Sequence, residues 1–197
     1  MITAGPAISS AGPAGDAPLV AMLRFMPKLT DPDPVFHSSF LEAKAEWPDS
    51  HQDGAGIRPG DRFETAADFE AWIQRLTIQP DPSLLLRGHF RTSRFWIVEE
   101  DRYLGAVELR HELTPLMLEA VGHIGYSVRP TARGRGIASW ALEAVLPHAL
   151  GIGLTRVLLT CDEGNAASAR TIEKNGGVLE DVRSTDLGVK RRYWISL

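Results

Sequence analysis

The chain has 197 residues, 44% of them hydrophobic, which suits one domain, or one domain with a tail, built around a real core. Its formal net charge of -4 lacks the basic footprint of a nucleic-acid binder, and no stretch approaches the roughly 20 apolar residues that cross a bilayer. The single cysteine, Cys161, excludes an intrachain disulfide framework and points to a cytoplasmic protein, and the six histidines show no zinc spacing, so no metal is expected.

Residues 1–18 are rich in Ala, Gly and Pro, without an aromatic residue and without the basic start of a signal peptide, and are expected to be a disordered tail. The folded domain then runs over 19–197. An apolar run over 19–26 reads as the first strand. A helical patch covers Val35 to Glu46, and the Gly/Pro-rich stretch from Pro48 to Gly60 is a loop. Between 63 and 76, Phe63, Ala66, Ala67, Trp72, Ile73 and Leu76 recur at helical spacing, which predicts an amphipathic helix. Arg94–Glu99 and Tyr103–Leu109 read as an antiparallel hairpin linked by Glu100-Asp101-Arg102, with Gly105 at a bulge.

A strand is expected over His123–Val128, then a helix over Gly134–Leu150 with Ile137, Ala141, Val145 and Ala149 on one stripe. Pro147 should kink its last turn and Gly151 should cap it. Arg156–Cys161 is a continuous apolar strand. Asn165 is a good N-cap for a helix that ends at Lys174 before Gly176. Val178–Arg183 and Arg192–Ile195 read as a closing hairpin. The unit from 123 to 161 implies a right-handed crossover flanked by antiparallel hairpins.

The segment from Gly122 to Gly177 carries the functional signal. Its turn, Arg133-Gly134-Arg135-Gly136, exposes backbone N–H groups where a helix begins, and a helix N-terminus suits phosphate. The dinucleotide pattern is not met, because position 139 is Ser rather than Gly, and the P-loop Lys-Ser/Thr pair is absent. Arg133, Gly136 and Ala138 meet the turn signature of the GNAT acyltransferase superfamily. Asn165, Ser168 and the run Glu173-Lys174-Asn175-Gly176-Gly177 follow in that family's order. The chain therefore resembles a GNAT N-acetyltransferase, of the bacterial branch of predicted acetyltransferases with unassigned substrate.

That resemblance implies a mixed, mostly antiparallel α/β (α+β) sheet with helices on both faces and a splay between the fourth and fifth strands. It implies acetyl-CoA as co-substrate. Val128 would pair with the pantetheine arm through its N–H and C=O. Gly134, Gly136 and Ile137, with Ala138 closing the turn, would receive the pyrophosphate. Arg133 and Arg135 either pair with phosphates or sit in water. Asn165 caps its helix and would also face the pantetheine.

Acyl transfer to an amine needs a base and an acid. The family's usual Tyr in the last short helix is replaced here by Ile172. Either another group serves, the thiolate leaves unassisted by a side chain, or the domain is a silent acyl-CoA-binding module. Candidates are Glu108 and Tyr126 first, then His111, His123 and Asp162. Glu108 either acts through water or pairs with Arg110 or another Arg. His123 and Tyr126 lie three apart on one strand, so one of them at most lines the site. Cys161 reads as a buried hydrophobe. Trp47, Asp49, His51, Asp53 and Asp61 lie in a loop-rich, acidic stretch that would suit a cationic amine. The acceptor is a small-molecule amine or a protein or peptide amine, and a homodimer is possible.

Overall fold

Alternation along two strands sets the two layers of the core. In a computed structural model that describes residues 26–47, 51–78 and 90–197, β2 (Thr92–Glu99) pairs antiparallel with β1 (Lys28–Thr30) and with β3 (Arg102–Arg110). β3 pairs in turn with β4 (Ile124–Val128). Side chains leave a strand on alternate faces. Trp96, Val98, Tyr103 and Ala106 fill one face, and Ile97, Leu104, Val107 and Leu109 fill the other.

The first face is covered by α1 (His37–Ala45) and α2 (Ala66–Thr77). Thr65 starts α2 by accepting from the Asp68 N–H, and the helix buries Phe69, Trp72, Ile73 and Leu76. Phe40 of α1 sits among the rings of Phe63, Phe69, Trp72, Trp96 and Tyr103. Truncating such a ring costs about 3–5 kcal/mol.

The second face is covered by α3 (Ile137–Gly151), whose Ile137, Ala141, Leu142, Val145 and Ala149 are buried as the stripe predicts. The strands β5 (Arg156–Asp162), β6 (Val178–Thr185) and β7 (Gly188–Ser196) form a second antiparallel sheet, ordered β5-β7-β6. Between β5 and β6 lies α4 (Ala166–Lys174).

Among the described residues, backbone hydrogen bonds join the two sheets at one place. The His123 N–H donates to the Leu158 carbonyl at 2.7 Å, and the Leu158 N–H donates to Nδ1 of His123 at 2.9 Å. Gly122 bridges Leu159 there, at φ +74, where a Cβ would stand 2.5 Å from the Leu158 oxygen. Beyond this latch β4 and β5 part, giving the splay between the fourth and fifth strands.

Several boundaries differ from expectation, each for a local reason. The first paired strand is Lys28–Thr30; Met26 is coil, and residues 19–25 and the tail 1–18 lie outside the described residues. α3 begins at Ile137 rather than Gly134, because Gly134 and Gly136 have φ of 77° and 78°, which no right-handed helix accepts. Gly151 stays helical, and Gly153 (φ 89°) ends the helix by donating to the Leu150 carbonyl. Pro147 lies inside the helix without ending it. The bulge falls at Leu104, beside Gly105, where the β2–β3 register shifts. The closing hairpin is longer than expected at both strands. Among the described residues no helix is long and apolar enough to cross a membrane.

Candidate active site

Two cavities open on the splay, of about 510 Å3 and about 380 Å3. They share a waist of five residues: His51, Asp53, Tyr126, Asn165 and Ser168. The larger cavity is lined by Val128, Arg133, Gly134, Gly136, Ile137 and Ala138, and by Trp47 and Thr171. The smaller is lined by Arg110, Gly125, Cys161, Asp162, Leu187 and Lys190 among others. Seven of the eight expected cofactor residues therefore line this one cavity, six of them on the wall made by β4 and the turn into α3 and Asn165 across from them; Arg135 does not.

The wall is an open strand edge. The Arg110 N–H donates to the His123 carbonyl at 2.8 Å and the Arg129 N–H to the Leu104 carbonyl at 2.7 Å. Antiparallel ladders alternate, so these bonds fix the phase. The His123 carbonyl and the main-chain groups of Gly125, Ser127 and Arg129 point to β3, while the His123 N–H turns to β5. Those of Ile124, Tyr126 and Val128 point into the splay. The Val128 carbonyl accepts from Nε of Arg133 at 3.0 Å, so its N–H is the group left for a ligand.

The strand leads to the bare start of α3. The first bond inside that helix runs from the Trp140 N–H to the Gly136 carbonyl, leaving the N–H groups of Ile137, Ala138 and Ser139 without an intrahelical acceptor. A Cβ on Gly134 or Gly136 would meet no atom within 4 Å, so their positive φ, and not crowding, requires glycine. Arg133 lies 5.9 Å from the centre of the Trp47 ring, beside the turn. Arg135 swings to the buried Glu99, at 2.6 Å, away from the cavity.

Opposite β4 stands the first turn of α4. Oδ1 of Asn165 accepts from the Ser168 N–H at 3.0 Å, the expected cap, and the residue lines both cavities. The Ser168 and Tyr126 hydroxyls share a hydrogen bond of 3.0 Å. Burial pushes the Tyr126 phenol up to about 12, so it holds its proton. Burial likewise raises the Cys161 thiol, which keeps it protonated as a small apolar group in the wall. Ile172 is fully buried against Gly177 and lines neither cavity.

The remaining candidates separate cleanly. Glu108 is buried beneath the loop that carries Gly54 and lines neither cavity. Its Oε1 accepts from Arg94 at 2.6 Å, and its Oε2 is paired with Arg110. Arg110 itself lines the smaller cavity. His111 bonds the Ser93 hydroxyl at 2.8 Å, and His123 forms the latch, so both stand outside the cavities. Asp162 is ion-paired with Lys190 at the mouth of the smaller cavity. Asp49 lies outside the described residues. Ser168, which the sequence places in the motif without a role, lines both cavities: its place three after an N-cap puts it on the same face as the cap, and that spacing was the signal. Among the described residues no group of three or more His, Cys, Asp or Glu could hold a metal.

Residues 28–178 match the model of the acetyltransferase (GNAT) domain. The chain belongs to the GNAT acetyltransferase family. A ribosomal-protein-serine acetyltransferase of Escherichia coli is 33% identical to this GNAT chain over 107 residues, 54% of the chain and 57% of that relative. The match thus spans little more than half of the curated relative's length. Among solved structures, Mycobacterium smegmatis RimJ in complex with a CoA disulfide superposes with a TM-score of 0.62 at 16% identity, over 86% of this chain and 81% of that one. The microcin C7 self-immunity acetyltransferase MccE, solved with acetyl-CoA and AMP, gives 0.60 at 14% identity, over 87% and 92%. At these identities the likeness is one of fold.

Proposed function

We propose that the chain is an acetyl-CoA-dependent N-acetyltransferase, with acetyl-CoA in the larger cavity and the acceptor amine in the smaller. The observation that carries this reading is the open edge of β4, which runs straight into the unsatisfied N-terminus of α3. An extended pantetheine arm adds along that edge like a strand, pairing with the Val128 N–H and the groups of Tyr126. The pyrophosphate then meets the N–H groups of Gly134, Gly136, Ile137 and Ala138 and the positive end of the helix dipole. Arg133 neutralises phosphate from the rim. Arg135, tied to Glu99, serves to hold the turn in shape.

The waist is the place of reaction. An N–H of β4 aimed at the thioester oxygen stabilises the oxyanion of the tetrahedral intermediate; one such donor is worth about 2.7–4 kcal/mol. The Asn165 amide nitrogen holds the pantetheine from the other side. When the C–S bond breaks, the thiolate takes the proton of Ser168, with Tyr126 as the donor behind it. Glu108 positions Arg110 in the acceptor cavity.

The acceptor is the amine of a polypeptide N-terminus. This is supported by the curated relative, whose name records acetylation of a ribosomal-protein serine. The test is steady-state transfer from acetyl-CoA to a Ser-started peptide, to the same peptide with a blocked N-terminus and to small diamines. Transfer to the free N-terminus alone supports this acceptor; transfer only to the diamines contradicts it.

A further inference from the structure

The waist holds three titratable side chains, Tyr126, His51 and Asp53. Tyr126 stays protonated and bonds Ser168, on the side of the leaving group. The charged groups that face the smaller cavity alone are committed elsewhere: Arg110 to Glu108, and Lys190 to Asp162. That leaves the loop pair, with Nε2 of His51 standing 3.3 Å from Oδ1 of Asp53.

The loop is anchored so that this pair projects into the waist. Gln52 and Ala55 are buried, while His51 and Asp53 are exposed. Gly54, at φ +81, lies flat on the sheet: a Cβ there would stand 2.5 Å from the Gly125 oxygen and 3.1 Å from the Ala106 oxygen. Gly125 is itself a glycine beside Tyr126 on β4, so two backbones touch at this point. The contact sets His51 and Asp53 at the lip where the two cavities join.

We propose that His51 is the general base for the acceptor amine and that Asp53 orients it; this rests on the acyl-transfer reading above. A carboxylate beside Nε2 favours the tautomer protonated there and leaves Nδ1 to accept. The ammonium of the acceptor gives one proton to Nδ1, and the imidazolium passes it to solvent. The freed lone pair attacks the thioester carbon, the N–C bond forms and the C–S bond breaks. The proton that Ser168 delivers to sulfur is made good by the second proton lost from the acylated nitrogen. The sum is amide, thiol and one proton released. Asp53 also places a negative charge where the ammonium arrives.

The experiment compares two acceptors, a Ser-started peptide and hydroxylamine, which is already neutral at pH 7 and needs no base. For His51→Gln, kcat/KM with the peptide should fall about 10²–10⁴-fold, with the KM for acetyl-CoA unchanged. The same variant should keep most of its rate with hydroxylamine. Added imidazole should restore part of the peptide rate to His51→Gly, and Asp53→Asn should show a smaller loss of the same kind. Wild-type kcat/KM and pH profile in His51→Gln would overturn the assignment. So would equal losses with both acceptors and a raised KM for acetyl-CoA, which mark a structural role. A wild-type protein that acetylates neither acceptor overturns the acyl-transfer reading, and this inference with it.

Discussion

The hydroxyl of Tyr126 on β4 and the hydroxyl of Ser168 on α4 lie 3.0 Å apart, a side-chain hydrogen bond that spans the splay at the waist. Because the phenol is held protonated by burial, the pair is arranged to deliver a proton and not to remove one. Ser168→Ala should lower kcat by about 10²-fold or more, and Tyr126→Phe by less, with acetyl-CoA affinity nearly unchanged in both. Single-turnover kinetics with titration of acetyl-CoA binding check this. A parallel loss of binding would assign the pair to the cofactor site alone.

Gly136→Asp should abolish acetyl-CoA binding, since it sets a carboxylate among the N–H groups that receive the pyrophosphate. The residue sits at φ 78°, so strain adds a stability cost of about 1–2 kcal/mol. Gly153→Asp is the control, because Gly153 has φ 89° and open space at the far end of α3. Isothermal titration should show the first variant silent and the second unchanged.

Glu108→Gln should destabilise the fold by about 3–5 kcal/mol. It would leave Arg94 and Arg110, both largely buried, without their shared carboxylate. Turnover should also fall, because Arg110 loses its anchor at the acceptor cavity. Chemical denaturation gives the first quantity. A stability loss under 1 kcal/mol would show that the ion-pair cluster is solvated.

The latch between the sheets has its own pH dependence. Burial first, and then the charge of Arg110, holds the His123 imidazole down at about 4, against 6.5 in the unfolded chain. The neutral ring also has to accept from the Leu158 N–H. A folded pKa below the unfolded one means that stability is complete above 6.5 and is lost as pH falls from there toward 4. The loss should reach up to about 3 kcal/mol. Glu46, held down at about 2 by Arg129, gives way only in a lower window, between 4.5 and 2. Urea midpoints measured across this range for wild type and His123→Asn should show the upper window flattened in the variant.

Much of this was legible because it is local. The α3 stripe, the Asn165 cap and the glycine turn each depend on residues a few positions apart, and each stands where spacing placed it. The fate of Glu108 was only half legible: the sequence offered Arg110 as one partner, but not the choice between that pairing and a role through water. Alternation puts it on a face, but which guanidiniums share that face depends on pairing with Arg94, 14 residues away, and on the loop that covers it. Ile172 misled for a similar reason. Its place in the motif matches a family tyrosine, yet the side chain faces Gly177 and the core, while Ser168 and Thr171 face the cavity. The loop pair His51 and Asp53 sits in sequence among solvated acids, and only the contact of Gly54 with Gly125 brings it to the waist.

Transfer of acetyl from acetyl-CoA to an amine is tested most directly by following both products at once. Wild-type protein is mixed with acetyl-CoA and a Ser-started peptide, and free thiol and peptide mass are recorded with time. One acetyl group should appear on the peptide's N-terminus for each thiol released, at a rate that saturates in both substrates. Saturable acetyl-CoA binding with no thiol release above the spontaneous rate, across peptides and small amines alike, would contradict it and leave an acyl-CoA-binding domain without transfer.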